Sequence, residues 1–224
     1  MFIIGCVAGP QDDELLNWAE HWKDRGRLLV IVQGTPEWFN TDLGKKLCKI
    51  MPIDDIYPML PVGFPELHKN TLMAIAANLP DNEGLIKLDT DEYMTDDHWK
   101  KLTELVTARP GVQVFWVFRK DLFDGHFFEN MPGDYQPIIV RGIPIRYTGR
   151  MHAFPLPECP IDTIRYLPDV IHIEHRRSIQ RTIASNKQRD SFADAYGARI
   201  QITFLDKLKT AWLAKGLEWP EVTE

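Results

Sequence analysis

Four consecutive polar residues, Asp89-Thr90-Asp91-Glu92, follow the short run Leu85-Ile86-Lys87-Leu88. In an open parallel sheet, ligands bind beyond the carboxyl ends of the strands, so carboxylates at this point face a cleft. Two aspartates one residue apart can approach the same small, hard cation. Mg²⁺ or Mn²⁺ takes oxygen ligands and commonly bridges one or two carboxylates to substrate phosphates. Such an ion neutralises charge that develops on a leaving diphosphate, which is what a nucleotide-diphosphate substrate needs. The competing role for the same acids is a solvated turn or the start of a helix, where Asp and Glu are common. By itself an aspartate-x-aspartate pattern is weak, and its value comes from its place after a buried strand.

Other residues add to the pattern. Residues 1–140 carry 13 Lys/Arg against 22 Asp/Glu, a balance of −9, whereas residues 141–224 carry 13 against 10, a balance of +3. The later stretch contains Arg176, Arg177 and Lys187, whose charge suits a diphosphate. The plainer role of such a run is a solvated helix face. There are seven histidines. With a strand over Val170–Ile173, His172 lies on one of its faces and His175 falls just past its end, where the cleft is. Phe127 and Phe128 lie in a loop and offer a flat apolar surface.

The elements that position these residues follow from periodicity. Phe2–Val7 reads as a continuously apolar strand, Asp12–Arg25 as a helix capped by Asp12 or Asp13 and stopped by Gly26, and Leu28–Val32 as a second strand. Strand, helix and strand in about 30 residues make a βαβ unit with parallel pairing. Thr41–Ile50 reads as a short helix, Asp54–Pro65 as a loop or edge strand, and Glu66–Leu79 as a helix. Leu85–Leu88 is a strand, Asp96–Ala108 a capped helix, and Val112–Arg119 a central strand. Ile138–Arg141, Ile145–Tyr147 and Val170–Ile173 read as short strands, and Ser178–Ala195 and Ile200–Ala214 as helices. The expected architecture is α/β, with residues 1–190 as one domain and 191–224 as a helical extension packed on it.

Composition bounds the rest. The 224 residues are 44% hydrophobic and 26% charged, an ordinary balance for one globular domain. A net charge of −6 argues against a general nucleic-acid binder. No apolar run approaches the roughly 18 residues that span a bilayer. The apolar start lacks a basic leader region and reads as a first strand, not a signal peptide. Three widely spaced cysteines, Cys6, Cys48 and Cys159, fit buried thiols in a reducing cytoplasm better than disulfides or a zinc site.

The order of these features resembles the GT-A fold of family 2-like glycosyltransferases. It runs from an apolar strand, through the acidic helix start Asp12-Asp13-Glu14 and a helix bearing His68-Lys69, to Ile86-Lys87-Leu88-Asp89-Thr90-Asp91-Glu92. Tyr147-Thr148-Gly149-Arg150-Met151-His152 and Ile171-His172-Ile173-Glu174-His175-Arg176-Arg177-Ser178 are similar to that group's histidine segments. The resemblance covers roughly residues 1–190. It implies a GT-A (Rossmann-like) mixed, mostly parallel sheet flanked by helices, Mn²⁺ or Mg²⁺ as cofactor, and a nucleotide-diphosphate sugar as donor.

It further implies Asp91 as the principal metal ligand. Asp89 would contact the donor's sugar or ribose, or the metal through water. His175, with His152 and His172 behind it, would complete the metal site. Val7, Ala8 and Gly9 would meet the base and ribose, and Lys69 the diphosphate or base. Two departures stand out. Gly9-Pro10-Gln11-Asp12-Asp13 replaces an Asn-Glu pair, and His152-Ala153 replaces His-Glu. An inverting transfer needs a base to take the acceptor's hydroxyl proton. Among Asp121, Asp124, Glu129 and Asp134, the first choice is Asp134 and the second Glu129.

The acceptor is open at this stage: a glycan, a protein, a small molecule or a modified DNA base. One rival is a nucleotidyltransferase, although the first strand lacks the glycine-rich basic loop such enzymes use. The other is a non-catalytic interaction domain of the same fold, which the intact acidic cluster counts against.

Overall fold

The computed structural model describes residues 1–61, 65–80, 82–129, 131, 133–147, 155–183 and 195–220. The chain forms two compact units. One comprises Met1–Arg119 with Tyr135–Ile173, and the other Lys120–Asp134 with Glu174–Glu224.

The first unit is built on β1 (Phe2–Ala8). Its apolar run has no polar face, as expected of a strand covered on both sides. It pairs in parallel with β2 (Arg27–Gln33) and with β4 (Gly84–Lys87), and β2 pairs in parallel with β3 (Ile56–Met59). β5 is the short pair Glu92–Tyr93. β6 (Val114–Phe123) is followed by β7 (His126–Phe127) and β8 (Asp134–Val140). β8 runs antiparallel to β4. β9 (Ile145–Arg146) and β10 (Leu156–Pro157) form a separate small ribbon. β11 (Ile164–Tyr166) lies parallel to β6, and β12 is His172–Arg177. In the large sheet the order is β3-β2-β1-β4-β8-β6-β12-β5. β6 therefore lies between two strands, as its β-branched and aromatic content predicts.

Period-two alternation divides the core into two layers. Phe2, Ile4, Cys6 and Ala8 pack with Trp18 and Trp22 of α1 (Leu15–Trp22), Leu47 of α2 (Asp42–Leu47), and Leu102 and Val106 of α4 (Asp96–Thr107). Ile3, Leu29, Ile31 and Leu85 face the other way, against Leu72, Met73 and Ala76 of α3 (Pro65–Asn78). Each Leu or Ile buried this way contributes about 1.5–3 kcal/mol. With helices on both faces, the open part of the sheet is its edge. The register Ile4↔Ile86 and Ile4↔Leu28 brings the carboxyl ends of β1, β2 and β4 out on the same side. This is the mixed α/β architecture, with a mostly parallel sheet between helices, that the sequence implies.

Three local expectations are corrected. α1 starts at Leu15, and its N-cap residue Glu14 makes no side-chain cap bond. The Asp12 carboxylate instead accepts the Glu14 N–H at 3.2 Å and the Thr90 hydroxyl at 2.7 Å, so it organises the loop and not the helix. α1 ends at Trp22, before Gly26. Gly26 is required by close approach, since a Cβ there would stand 2.7 Å from the Phe2 carbonyl oxygen. The strand expected at Val170–Ile173 runs instead over His172–Arg177, which places His175 inside β12 and not beyond it.

In the second unit, β7 folds back antiparallel on β6 through Asp124-Gly125, whose φ values are 45° and 80°. Positive φ at both central positions is the hairpin geometry that Asp-Gly favours. The Asp124 N–H donates to the Arg177 carbonyl at 2.9 Å. Phe123, Phe128, Ile179, Ile183, Leu208, Ala211 and Trp212 form this unit's core. α5 (Ala195–Ala214) supplies the last three. The helix expected over Ser178–Ala195 is seen at residues 179–183, and its remainder lies largely outside the described residues. No helix among the described residues is long and apolar enough to cross a membrane.

Gly44 lies inside α2, where Ala is ordinarily favoured by about 1 kcal/mol. Here a Cβ would meet the Trp38 carbonyl oxygen at 2.4 Å and the Phe39 Cα at 3.0 Å. Overpacking against backbone reverses the preference, so Gly44→Ala is expected to destabilise the fold by about 1–3 kcal/mol. Calorimetry checks this: a melting point at or above that of wild type would contradict it.

Candidate active site

The edge where β1, β2 and β4 end carries the acidic cluster. The Leu88 N–H donates to the Gly5 carbonyl at 2.9 Å, extending the β1–β4 ladder to the residue before Asp89. Asp89 leaves the sheet there. Its backbone N–H donates to Glu92 Oε2 at 2.8 Å, and its carboxylate stands 3.2 Å from the Lys69 ammonium of α3. The Thr90 hydroxyl ties the same loop to Asp12, beyond β1. Asp91 is half-buried. Burial, and then Asp12 and Asp89, push the Cys6 thiol well above its usual range, so it stays a neutral core group beneath this negative edge.

Glu92 was a member of the motif with no assigned role, and the structure supplies one. It is 1% exposed. One carboxylate oxygen receives the Asp89 N–H and the other the Arg119 guanidinium at 3.2 Å, while its backbone carbonyl accepts the Trp22 indole N–H at 3.3 Å. The separation of three residues between Asp89 and Glu92 was the available signal, since it lets a side chain reach back to a backbone N–H in a turn.

Tyr147 also went unassigned. Asn70 of α3 clamps its backbone, accepting the Tyr147 N–H and donating to its carbonyl, both at 2.8 Å. The Lys69 and Lys87 ammonium groups lie 5.8 and 5.7 Å from the centre of its ring. Burial drives the phenol's pKa far upward. Lys69 opposes this, and Asp89, Glu92 and Glu66 add to it, so the hydroxyl keeps its proton.

Val7 and Ala8, expected to meet the base and ribose, are the last two residues of β1 and do not follow it. Ala8 is buried in the core, and Gly9 has open space where a side chain would be. Val7, Ala8, Gly9, Lys69, Asp89 and Asp91 thus belong to one sheet edge of the first unit.

His175, Arg176, Arg177, Glu129 and Asp134 belong to the second unit. His175 is buried, with Nδ1 2.6 Å from an Asp121 carboxylate oxygen, which fixes the ring's orientation. Arg176 is exposed and pairs with Glu174 at 2.8 Å, and Arg177 lies over the Phe123 ring. Asp134 is exposed at the head of β8. Glu129 is exposed and lines a cleft of about 640 Å³ with Phe127, Phe128 and Lys215. His172, in the first unit, stacks edge-on against His98 of α4, with ring centres 4.3 Å apart. His152 and Lys187 lie outside the described residues. Among the described residues, no three His, Cys, Asp or Glu side chains converge as a ready-made metal-binding group.

No known family profile matches the sequence, and no curated protein matches it. Among solved structures, the crystal structure of S. aureus TarS 1-349 is similar with a TM-score of 0.50 at 12% identity, covering 80% of this chain and 61% of that one. The crystal structure of S. aureus TarS gives a TM-score of 0.40 at 16% identity, over 54% of this chain and 22% of that one. The chain therefore spans less than two thirds of the length of either. At these identities the likeness is one of fold, and that fold is GT-A-like.

Two measurements probe this edge. Glu92→Ala removes a buried partner of Arg119 and the acceptor of the Asp89 N–H. Breaking a buried ion pair of this kind costs about 3 kcal/mol, so urea unfolding is expected to shift accordingly. A change below measurement error would show that the pair holds nothing. The second concerns pH. The Tyr147 hydroxyl titrates higher in the folded than in the unfolded chain. Above the ordinary tyrosine value of about 10, the unfolded chain sheds the proton first. Stability then falls with rising pH, by about 1.4 kcal/mol per unit from this residue. Tyr147→Phe is expected to flatten that alkaline slope, and identical slopes for the two proteins would contradict the assignment.

Proposed function

We propose that the chain is a metal-dependent glycosyltransferase that moves a sugar from a nucleotide-diphosphate donor to a hydroxyl on a glycan, protein, small molecule or modified DNA base. The observation that carries this reading is the position of Asp89 and Asp91. They stand at the carboxyl end of β4, in a GT-A-like fold, with Lys69 3.2 Å from Asp89.

The donor set fits Mg²⁺ or Mn²⁺. Both ions take oxygen ligands, and Mg²⁺ characteristically keeps several waters and uses only one or two carboxylates beside substrate phosphates. Asp91 would hold the ion, with Asp89 beside it and His175 as the further ligand. When bound, the ion would stabilise negative charge on the departing diphosphate. The protein's own groups have separate tasks. Glu92 fixes the Asp89 backbone, and Lys69 places a positive charge at the carboxylate edge. The open space at Gly9 and the backbone of Val7 and Ala8 would receive the base and ribose. Arg176, Arg177 and Lys187 would add positive charge toward the diphosphate. Asp134, with Glu129 as second choice, would take the proton from the acceptor hydroxyl.

A panel of nucleotide sugars, with and without Mn²⁺, tests the reading by thermal shift and by sugar release. One nucleoside class is expected to raise the melting point only with metal present. At a hundredfold excess over Kd the rise should be about 5–10 °C. Asp91→Ala should abolish it while folding normally. If no nucleotide stabilises the wild-type protein, and Asp91→Ala behaves identically, the reading fails.

A further inference from the structure

Lys87 is an unusual residue to find within β4. The strand is buried along its whole length, and Lys87 is 4% exposed. Alternation puts Leu85 and Lys87 on the face covered by α3. Among the described residues the Lys87 ammonium has no ion pair, and it lies 5.7 Å from the centre of the Tyr147 ring. A buried ammonium without a counter-charge is costly, and a cation–π contact offsets only part of that.

The ring beside it carries a second unmet group. Tyr147 is 5% exposed, and its hydroxyl has no hydrogen-bond partner among the described residues. The Asn70 clamp holds its backbone in place. Lys69, with 16% of its side chain exposed, lies at the same ring and touches Asp89, which is 38% exposed. The three groups thus run from a buried lysine, past a phenol, to a lysine at the open sheet edge.

An ammonium has three donors and no acceptor, and a protonated phenol can donate one more. A group that satisfies both must bring acceptor oxygens, and an anionic one also supplies the counter-charge that Lys87 lacks. Among the nearby acids, Asp89 is engaged by Lys69 and Glu92 by Arg119 and the Asp89 N–H, and among the described residues no ion pair joins the buried Glu66 to Lys87.

We propose that Lys87 and Tyr147, with Lys69 at their rim, form an oxyanion subsite on the α3 side of the sheet, which receives either the donor's diphosphate or a carboxylate on the transferred sugar. The identity of the two sources rests on the glycosyltransferase reading, whereas the subsite itself does not.

The test is therefore run with simple anions. Inorganic pyrophosphate and glucuronate are titrated separately, by calorimetry, into the full chain and its Lys87→Met and Tyr147→Phe variants. Met matches the lysine stem in an apolar setting, and Tyr147→Phe removes a hydroxyl that has no partner, so both variants are expected to melt no lower than wild type. At least one anion should bind wild type, and each variant should weaken that binding by about tenfold. Dependence with pyrophosphate alone assigns the subsite to the diphosphate, and dependence with glucuronate alone to a uronic sugar. If neither anion binds wild type, or both variants bind as wild type does, the subsite is refuted and the buried groups are met by water alone. If pyrophosphate binding depends on Lys87 while no nucleoside diphosphate binds, the subsite stands and the glycosyltransferase reading falls.

Discussion

A single buried carboxylate fixes the geometry of the acidic edge. Glu92 sits under the loop that leaves β4, and an unpaired charge in that position would be prohibitive. Arg119 supplies the opposite charge from β6, and the Asp89 N–H supplies a second donor from the loop. The Trp22 indole, at the end of α1, reaches the backbone of the same residue. One side chain and its peptide thereby hold a loop, a strand and a helix to one another. Glu92 is fully buried, whereas Asp89 and Asp91 are partly exposed.

The two-layered core explains why the acidic residues gather at these strand ends. Helices cover both faces of the parallel sheet, and the backbone groups inside it are spent on strand pairing. The strand ends offer unpaired backbone and room for polar side chains. The Thr90–Asp12 bond then joins the loops after β4 and β1, so that the two strand ends act as one surface. Lys69 approaches from α3 and balances part of the acidic field that also reaches Cys6.

Much of this edge was legible in the amino-acid order, because the features that build it are local. Leu85–Leu88 followed by acids, the βαβ spacing and the apolar run of β1 depend on neighbours in sequence. What was not legible depends on partners far along the chain. Arg119 lies 27 positions from Glu92, and Asn70 lies 77 from Tyr147. Asp12 carried a helix-cap signature, but a hydroxyl 78 residues away drew its carboxylate into the loop. The place of His175 inside its strand is hidden in the sequence because Ile171-His172-Ile173 gives a stronger local β signal than Glu174-His175-Arg176-Arg177. Its buried pairing with Asp121 offsets that weakness. The hairpin at Asp124-Gly125 carries a strong sequence signal, yet the surrounding loop reads as irregular because β7 is only two residues long.

Gly9 has one further consequence. It follows the last residue of β1, its backbone avoids the left-handed region, and nothing stands within 4 Å of the Cβ it lacks. The β1 residues before it alternate between the two packed layers of the core. Position 9 can acquire a side chain at little cost to folding. A substitution there therefore alters the surface beside the strand ends while leaving the packed layers beneath it untouched.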